Sequence, residues 1–222
     1  MICIPIIAKN TEEALKKIAR ANALADMLEI RLDMMDTFDL GKMIQSASKP
    51  ALVTYRSIRE GGKGTADHKT HANYLSVALQ EGAELVDVEW RLPEKWREKI
   101  FRVRGKSNII ISTHMPDNTP SREDLEEIFR EMTGTGAHIT KIVTHARTMA
   151  DNFRVLELIP KAQEREINII AFCMGRFGRI SRIFSHLMGG YLTFASLEGG
   201  EESAAGQIPV AEMKKILDIL ES

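Results

Sequence analysis

Apolar runs of strand length alternate with amphipathic stretches of helix length along all 222 residues of the chain. Parallel strands cannot be joined by a tight turn, so this alternation predicts a parallel sheet whose strands are connected by right-handed helical crossovers. Both an open doubly wound sheet and a closed barrel satisfy that rule. Eight strand–helix units with no long linker favour closure. We therefore predict an α/β fold, a (β/α)8 barrel of the TIM type, in a single domain spanning residues 1–222.

The boundaries of these elements follow from the hydrophobic pattern and from capping residues. Ser121 followed by Asp124 has the form of a capping box, and Thr11, Glu12 and Glu13 have the polar character of a helix start. The predicted strands are 2–7, 27–32, 51–55, 85–88, 108–112, 139–143, 167–172 and 191–195. The predicted helices are 11–23, 40–47, 68–80, 93–102, 121–132, 151–163, 179–187 and 210–220.

Composition excludes several classes of partner. The formal net charge of −1 provides no basic field for nucleic acid or for an anionic membrane. No apolar run approaches the ~18–20 residues of a membrane span, and the first residues lack the features of a signal peptide. Cys3 and Cys173 stand alone in apolar segments, which predicts two core thiols and a reducing cytoplasm. The one basic stretch is interpreted as a solvated helix face and loop: Lys95, Arg97, Lys99, Arg102, Arg104 and Lys106.

Polar residues break the apolar pattern at the carboxyl ends of five predicted strands. Strand side chains alternate with period two, and the active sites of such barrels lie at the carboxyl ends. An isolated pair of these residues would be interpreted as a structural salt bridge, but five strands converging on one mouth predict a functional site. The residues that share a face on each strand are Glu29, Arg31 and Asp33; Thr54 and Arg56; Asp87 and Glu89; Ser112 and His114; and Lys141 with Ile139 and Val143.

Lys141 lies in the middle of an apolar, β-branched strand, where an unpaired ammonium would be costly. Desolvation and nearby arginines are expected to favour its neutral form, which attacks ketones and aldehydes to form a Schiff base. His114, one strand away, is the candidate general acid and base. His145 shares a face with Lys141 and is the rival candidate, unless it falls beyond the end of the strand.

The later loops offer recognition chemistry. Arg176, Arg179 and Arg182 follow the seventh strand, and one of them could bind a carboxylate with its planar guanidinium. The segment ASLEGGEESAAGQIP (195–209) has the small residues of a mobile lid, although an ordinary surface loop has the same composition. GGKGT (61–65) lacks the spacing of a phosphate-binding loop and is interpreted as a flexible loop.

These motifs together resemble one known family, the type I 3-dehydroquinate dehydratases of the shikimate pathway. The matching segments, in chain order, are EIRLD, TYRSIREGG, VDVE, ISTHM, KIVTHA, FCMGRFGRISR and SAAGQ, and they span nearly the whole chain. The resemblance implies a lyase of chorismate and aromatic amino acid biosynthesis that needs no cofactor and no metal. Its partner would be the small molecule 3-dehydroquinate, with neither nucleic acid nor membrane involved. The oligomeric state is left open, with a homodimer as the candidate.

The resemblance also implies a role for each matching residue. Lys141 would form the Schiff base, and His114 would remove the C2 proton and help to expel the C1 hydroxyl as water. Arg182, in the ISR match, would hold the substrate carboxylate. The other expected substrate contacts are Glu29, Arg31, Arg56, Ser203 and Gln207, with Glu60 and Asp87 supporting the neighbouring groups.

Two other functions remain open at this point. A Schiff-base aldolase acting on sugar phosphates would need a phosphate site in the loops after strands seven and eight. The acidic residues Glu198, Glu201 and Glu202 in the last of these loops argue against it. A binding protein on a barrel scaffold would leave Lys141 and His114 without an explanation.

Overall fold

A computed structural model describes all 222 residues and confirms the (β/α)8 barrel. Eight parallel strands are hydrogen-bonded in the order β7-β6-β5-β4-β3-β2-β1-β8. The ring closes between β7 and β8, where the Tyr191 backbone N–H donates to the Ile169 carbonyl oxygen at 2.7 Å. Each strand is followed by at least one helix, and none of the helices is both long and apolar enough to cross a membrane.

Nearly all of the predicted elements are present, with small shifts at their ends. The strands are β1 (Ile2–Ile6), β2 (Met27–Arg31), β3 (Ala51–Thr54), β4 (Leu85–Glu89), β5 (Asn108–His114), β6 (Ile139–His145), β7 (Asn168–Met174) and β8 (Thr193–Phe194). The helices are α1 (Thr11–Ala21), α2 (Leu40–Ser46), α3 (His68–Gln80), α4 (Glu94–Val103), α5 (Arg122–Thr133), α6 (Asp151–Leu156), α7 (Leu158–Gln163), α8 (Arg179–Leu187) and α9 (Val210–Glu221).

The helix predicted over 151–163 is wrong in one respect, because it is divided at Glu157 into α6 and α7. Pro160 has no backbone N–H to donate to the carbonyl four residues earlier, and its ring crowds that carbonyl. Other helix starts follow the sequence signals. Ser121 Oγ accepts from the Asp124 N–H at 3.1 Å, as expected for the capping box. The cap of α1 is Asn10 rather than Thr11, since Asn10 Oδ1 accepts from the Glu13 N–H at 3.0 Å.

Two apolar layers surround the sheet. The larger layer fills the space between strands and helices, and the smaller one lies in the barrel interior and reaches the wall of the pocket at the carboxyl end. Each strand follows the predicted period of two. On β4, for example, Leu85 contributes to the inner apolar layer, and Asp87 and Glu89 follow it on the same face. The barrel is therefore closed by apolar side chains below and turns polar towards the carboxyl ends of its strands. Cys3 and Cys173 are buried free thiols, as predicted.

Candidate active site

A pocket at the carboxyl end of the barrel brings together the residues that the sequence analysis singled out. Lys141 and His114 line it, and Asp87 lies fully buried beside Lys141. The apolar part of the wall was not anticipated from the sequence, although Phe172 and Met174 on β7 are related by the same period of two. The remaining predicted residues that line the pocket are Glu29, Arg31, Arg56, Glu60, Arg182, Ser203 and Gln207.

Arg56 is the centre of a buried ion-pair network. Its Nη1 donates to Glu60 Oε2 at 2.9 Å, and its Nη2 donates to Asp87 Oδ1 at 2.7 Å. Nη1 also lies 3.3 Å from Glu89 Oε1 and 3.0 Å from Ser112 Oγ. Three carboxylates therefore share one guanidinium, which ties β3, β4 and β5 together below the pocket.

The loop after β3 lies close to this arginine because two glycines permit it. A Cβ on Gly62 would collide with the Arg56 carbonyl, and one on Gly64 would collide with the Tyr55 ring. The loop therefore returns over the strand end and places Glu60 between Arg56 and His114. Gly62 and Gly64 of GGKGT are therefore required by this close approach and not by phosphate binding.

Lys141 is buried, and its Nζ donates to Asp87 Oδ2 at 2.9 Å. The amine also lies 4.4 Å from the centre of the Phe194 ring. Desolvation and nearby cations favour the neutral amine, whereas this carboxylate partner opposes both effects. The amine attacks a carbonyl only in its neutral form, so Asp87 and the nearby cations act on this step in opposite directions.

His114 is held by Glu60 from two sides. Glu60 Oε2 accepts from the His114 backbone N–H at 3.1 Å and lies 3.1 Å from Nδ1 of the ring. Nε2 is the ring nitrogen left to face a ligand. Burial, together with the positive charges of Arg56 and Lys141, holds the pKa of His114 well below its usual range. The imidazole is therefore neutral at physiological pH and able to accept a proton.

The pKa of Glu60 is shifted in the opposite direction, above its ordinary value. Burial and the nearby carboxylates of Glu89 and Asp87 raise the pKa of Glu60 to about 8, although Arg56 lowers it. All of its donors converge on Oε2, and Oε1 has no protein partner. A buried carboxyl and a neutral imidazole in contact form an acid–base pair whose two groups depart from their ordinary pKa values in opposite directions.

Arg182 on α8 is a buried cation without a carboxylate partner. It is 1 % exposed, its Nε has no hydrogen-bond partner, and its Nη2 donates only to the Ala205 carbonyl at 3.3 Å. Its guanidinium lies 4.6 Å from the centre of the Phe172 ring. Burial lowers the pKa of Arg182 to about 10. Such a group is suited to an anionic ligand that restores the missing charge.

Glu29 and Arg31 form the opposite wall of the pocket. Thr54 Oγ1 donates to Glu29 Oε1 at 2.7 Å, which leaves the second carboxylate oxygen available. Arg31 binds Asp33 with two parallel hydrogen bonds of 2.9 Å each. Asp33 thus orients Arg31, a role that the shared strand face suggested but could not establish.

The segment 195–209 covers the pocket. The Ser203 N–H donates to Gln207 Oε1 at 2.8 Å and Gln207 Nε2 donates to Ser203 Oγ at 2.9 Å, so the two residues form one unit over the site. Gly206 has a φ of +84°, and a Cβ there would collide with the Gly175 carbonyl. The segment is therefore packed directly on the end of β7.

Charge attaches the same segment to α1. Lys17 Nζ lies 3.0 Å from Glu201 Oε1, and Arg20 pairs with Glu198. The acidic residues that set this segment apart in the sequence thus have basic partners on a neighbouring helix. We call residues 195–209 the lid.

The rival candidates lie outside the pocket. His145 ends β6, and its ring packs against Gly175 rather than lining the cavity. Arg176 and Arg179 are exposed, and Arg176 stacks on Phe177. No group of three or more His, Cys, Asp or Glu side chains is arranged to hold a metal ion.

A barrel with a buried lysine and a neutral histidine at its carboxyl mouth belongs to the class of enzymes that use a lysine amine as a nucleophile towards carbonyl compounds. Residues 2–222 match the model of the family described as Type I 3-dehydroquinase. The chain belongs to this family.

Individual relatives agree with this assignment. The chain is 36% identical to the bifunctional 3-dehydroquinate dehydratase/shikimate dehydrogenase of Arabidopsis thaliana over 99% of its own length; the match covers 36% of that protein, so the chain spans about a third of it. It is 32% identical to the 3-dehydroquinate dehydratase of Desulfotalea psychrophila, covering 97% of this chain and 96% of that one. The crystal structure of 3-dehydroquinate dehydratase from Geobacillus kaustophilus superimposes with a TM-score of 0.89 at 27% identity, covering 99% and 90% of the two chains.

Proposed function

We propose that residues 1–222 form the catalytic domain of a type I 3-dehydroquinate dehydratase, a hydro-lyase that converts 3-dehydroquinate to 3-dehydroshikimate through a Schiff base. The observation that carries the proposal is the pair of cations in one buried pocket. Lys141 provides the amine for a ketone, and Arg182 provides an unpaired guanidinium for a carboxylate. A substrate with both groups satisfies both residues at once, and family membership supports this substrate.

The first step joins Lys141 to the substrate ketone. Once the amine has transferred its proton, its lone pair attacks the carbonyl carbon and a C–N bond forms. The carbonyl oxygen then leaves as water, and an iminium cation replaces the ammonium. The charge facing Asp87 is therefore the same before and after the step, and the buried ion pair is preserved.

The second step is proton transfer by His114. Its Nε2 takes a proton from the carbon next to the iminium, and the electron pair moves to the nitrogen to give an enamine. The enamine returns the electron pair to expel the C1 hydroxyl, which accepts the proton from His114 and leaves as water. Hydrolysis of the new iminium releases the product and restores Lys141. Glu60 holds the histidine in the orientation that these transfers need.

The remaining pocket residues bind the substrate in this proposal. Arg182 pairs with the carboxylate. Glu29 accepts hydrogen bonds from ring hydroxyls, and Ser203 and Gln207 close over the substrate when the lid is shut. Arg31 and Arg56 are already paired with carboxylates, so their contribution is a rigid polar wall.

Borohydride trapping tests the proposal. Incubation with 3-dehydroquinate should produce the conjugated enone, which absorbs in the ultraviolet, and borohydride should inactivate the enzyme and add substrate mass to the peptide that contains Lys141. Lys141→Ala should lose turnover by several orders of magnitude, because the electron sink disappears with the amine. Lys106→Ala, which removes an exposed lysine, is the control. A label on another lysine would contradict the assignment.

Two alternatives have their own tests. An aldolase acting on sugar phosphates would be inhibited by low millimolar inorganic phosphate, whereas a dehydratase without a phosphate site should keep its turnover of 3-dehydroquinate there. A barrel that only binds its ligand would show no turnover of 3-dehydroquinate.

The proposal also includes a cellular location and an oligomeric state. A cytoplasmic location is supported by two buried free thiols. A homodimer is supported by exposed apolar side chains at one helix: Ile180 and Phe184 of α8, and Met188, which directly follows it. Sedimentation of the purified protein would establish its mass in solution.

A further inference from the structure

Arg182 lies against an aromatic ring in the pocket, where the other cations have carboxylates. Arg31, Arg56 and Lys141 each form a buried ion pair. Arg182 forms none, and its guanidinium carbon lies 4.6 Å from the centre of the Phe172 ring. The two side chains are buried, with 1 % and 3 % of their surfaces exposed. The electron-rich face of a ring attracts a cation, most strongly where water is excluded, so Phe172 partly offsets the cost of this charge.

A second ring holds the first in place. Phe194 on β8 contacts Phe172 on β7, with the ring centres 5.9 Å apart and the planes at 61°. This is the edge-to-face arrangement that aromatic pairs favour, and it lies where the barrel closes. Lys141 Nζ lies 4.4 Å from the centre of the Phe194 ring. The amine and the guanidinium are therefore each in contact with one ring of the same aromatic pair.

A ring differs from a carboxylate in what it leaves available on the guanidinium. Asp33 occupies two N–H groups of Arg31 and compensates its charge. An aromatic ring attracts the charge through its quadrupole and has no lone pair that must be satisfied. Arg182 Nε has no hydrogen-bond partner, and Nη2 donates only to the Ala205 carbonyl at 3.3 Å. The guanidinium is thus positioned while its charge and most of its donors remain available to a carboxylate.

We propose that Phe172 is a positioning residue for carboxylate recognition: its ring holds the Arg182 guanidinium in the pocket without occupying its donors, and Phe194 fixes that ring in place. Phe172 acts through Arg182 and takes no part in making or breaking bonds. Its contribution should therefore appear in substrate binding and not in the chemical step. This inference rests on the proposed function, since the carboxylate is that of the proposed substrate.

Fluorinated rings separate the electrons of Phe172 from its volume. Replacing it by 4-fluorophenylalanine and then by 3,4,5-trifluorophenylalanine withdraws electrons from the ring face with little change of shape. KM for 3-dehydroquinate should rise at each step, by about two- to tenfold in total, while kcat stays within about twofold. The matched control is the same replacement at Phe129, a buried ring that lies 5.9 Å from the Arg165 guanidinium outside the pocket, where KM should not change.

A double-mutant comparison tests whether Phe172 acts through Arg182. Phe172→Leu removes the ring, and KM should rise by about three- to thirtyfold, the range that a desolvated contact between a cation and a ring corresponds to. In an Arg182→Met background the same change should leave KM unaltered, because the residue through which Phe172 acts is absent. An equal rise in both backgrounds would mean that the ring only fills space, and would overturn the proposal.

Borohydride trapping provides a readout that does not depend on turnover. The wild type should trap 3-oxocyclohexanecarboxylate on Lys141 more readily than cyclohexanone, because only the first has a carboxylate for Arg182. Phe172→Leu should reduce this preference by about the factor that it adds to KM. An unchanged preference, or a constant KM across the fluorinated series, would overturn the proposal.

The two proposals can fail separately. If Phe172→Leu does not fold, the fluorinated proteins, which keep the shape of the ring, decide the role of Phe172. A wild type that traps the keto acid but does not dehydrate 3-dehydroquinate would refute the proposed function. The trapping preference of the fluorinated proteins would then still decide whether Phe172 positions Arg182.

Discussion

At the scale of single residues, the pocket is built around side chains that are held in costly states. Arg182 is a buried cation without a counter-ion, Glu60 is a buried carboxyl with a raised pKa, and Lys141 is a buried amine with one carboxylate partner. In the proposed reaction the substrate carboxylate supplies the partner that Arg182 lacks, so binding compensates the cost of this buried charge. This is the usual relation between stability and function at an active site.

Arg182 offers a direct test of this relation. Arg182→Met replaces the unpaired guanidinium with an apolar chain of similar length, and we expect the free protein to become more stable by about 1–3 kcal/mol, or several degrees in Tm. The same variant should bind substrate more weakly by about 2–5 kcal/mol, seen mainly as a higher KM. Calorimetry and steady-state kinetics measure the two effects. Arg176→Met, at an exposed position, is the control; a destabilised Arg182→Met with unchanged KM would contradict the assignment.

His114 and Lys141 should be separable in their effects. His114→Ala retains the amine, so it should still form a covalent adduct with substrate or product, while turnover falls by at least the ~10²–10⁴-fold that positioned proton transfer provides. Mass spectrometry of the intact protein should show a persistent adduct that Lys141→Ala does not form. Near-normal turnover in His114→Ala would shift the role to His145.

At the scale of elements, the lid and the loop after β3 close the site by different means. The loop is held by backbone approach at Gly62 and by buried ion pairs, whereas the lid is attached to α1 through partly exposed charges. Exposed pairs are weak and sensitive to salt, whereas buried pairs are screened much less. The lid is therefore the part of the pocket suited to open and close.

Removing one charge of the lid tests how weakly its ion pairs hold it to α1. Glu201→Gln breaks the contact with Lys17, whose energy of roughly 0.2–1 kcal/mol corresponds to an increase in KM of at most about fivefold. The wild-type KM should rise with ionic strength, and the KM of the variant should depend less on it. Glu12→Gln, which breaks the exposed pair with Lys16 on the same helix, is the matched control. Equal salt dependence in wild type and Glu201→Gln would mean that this pair does not hold the lid.

At the scale of the whole molecule, the buried charges determine how stability depends on pH. Burial raises the pKa of Asp87, but the positive charges of Arg56 and Lys141 lower it by more. The pKa of Asp87 therefore lies below its ordinary value. A lowered carboxyl pKa contributes stability above the unfolded value near 4 that is lost as the pH falls below it. The raised pKa of Glu60 has the opposite effect on the free energy of unfolding. Its stabilising effect is fully present below about pH 4 and is lost as the pH rises towards about 8.

The lowered pKa of His114 acts against Glu60 below about pH 6.5, the ordinary pKa of a histidine, so the decline due to Glu60 should be seen between about pH 7 and pH 8. Glu60→Gln, which keeps the shape without the titration, should remove the decline towards pH 8 and leave the loss below pH 4. Urea unfolding across the pH range measures both slopes. A decline towards pH 8 that persists in Glu60→Gln would assign it to another group.

The sequence alone determined the barrel and the general position of the site. Alternation of strands and helices requires parallel strands, and a period of two along each strand places Lys141, Asp87 and His114 at one mouth. These relations are local, so residues close in the chain are sufficient to establish them. The ends of elements were less certain, as the break before Pro160 shows, because they depend on individual backbone hydrogen bonds.

Only the tertiary structure decided which partners these residues have. Asp87 pairs with Lys141 across 54 residues, and Lys17 reaches Glu201 from the opposite end of the chain. The unpaired state of Arg182 and the position of Glu60 between Arg56 and His114 are properties of the folded interior, not of the order of residues. Such distances arise only when the ring of strands closes and brings distant segments together, because no local pattern specifies which charges will meet in a buried interior.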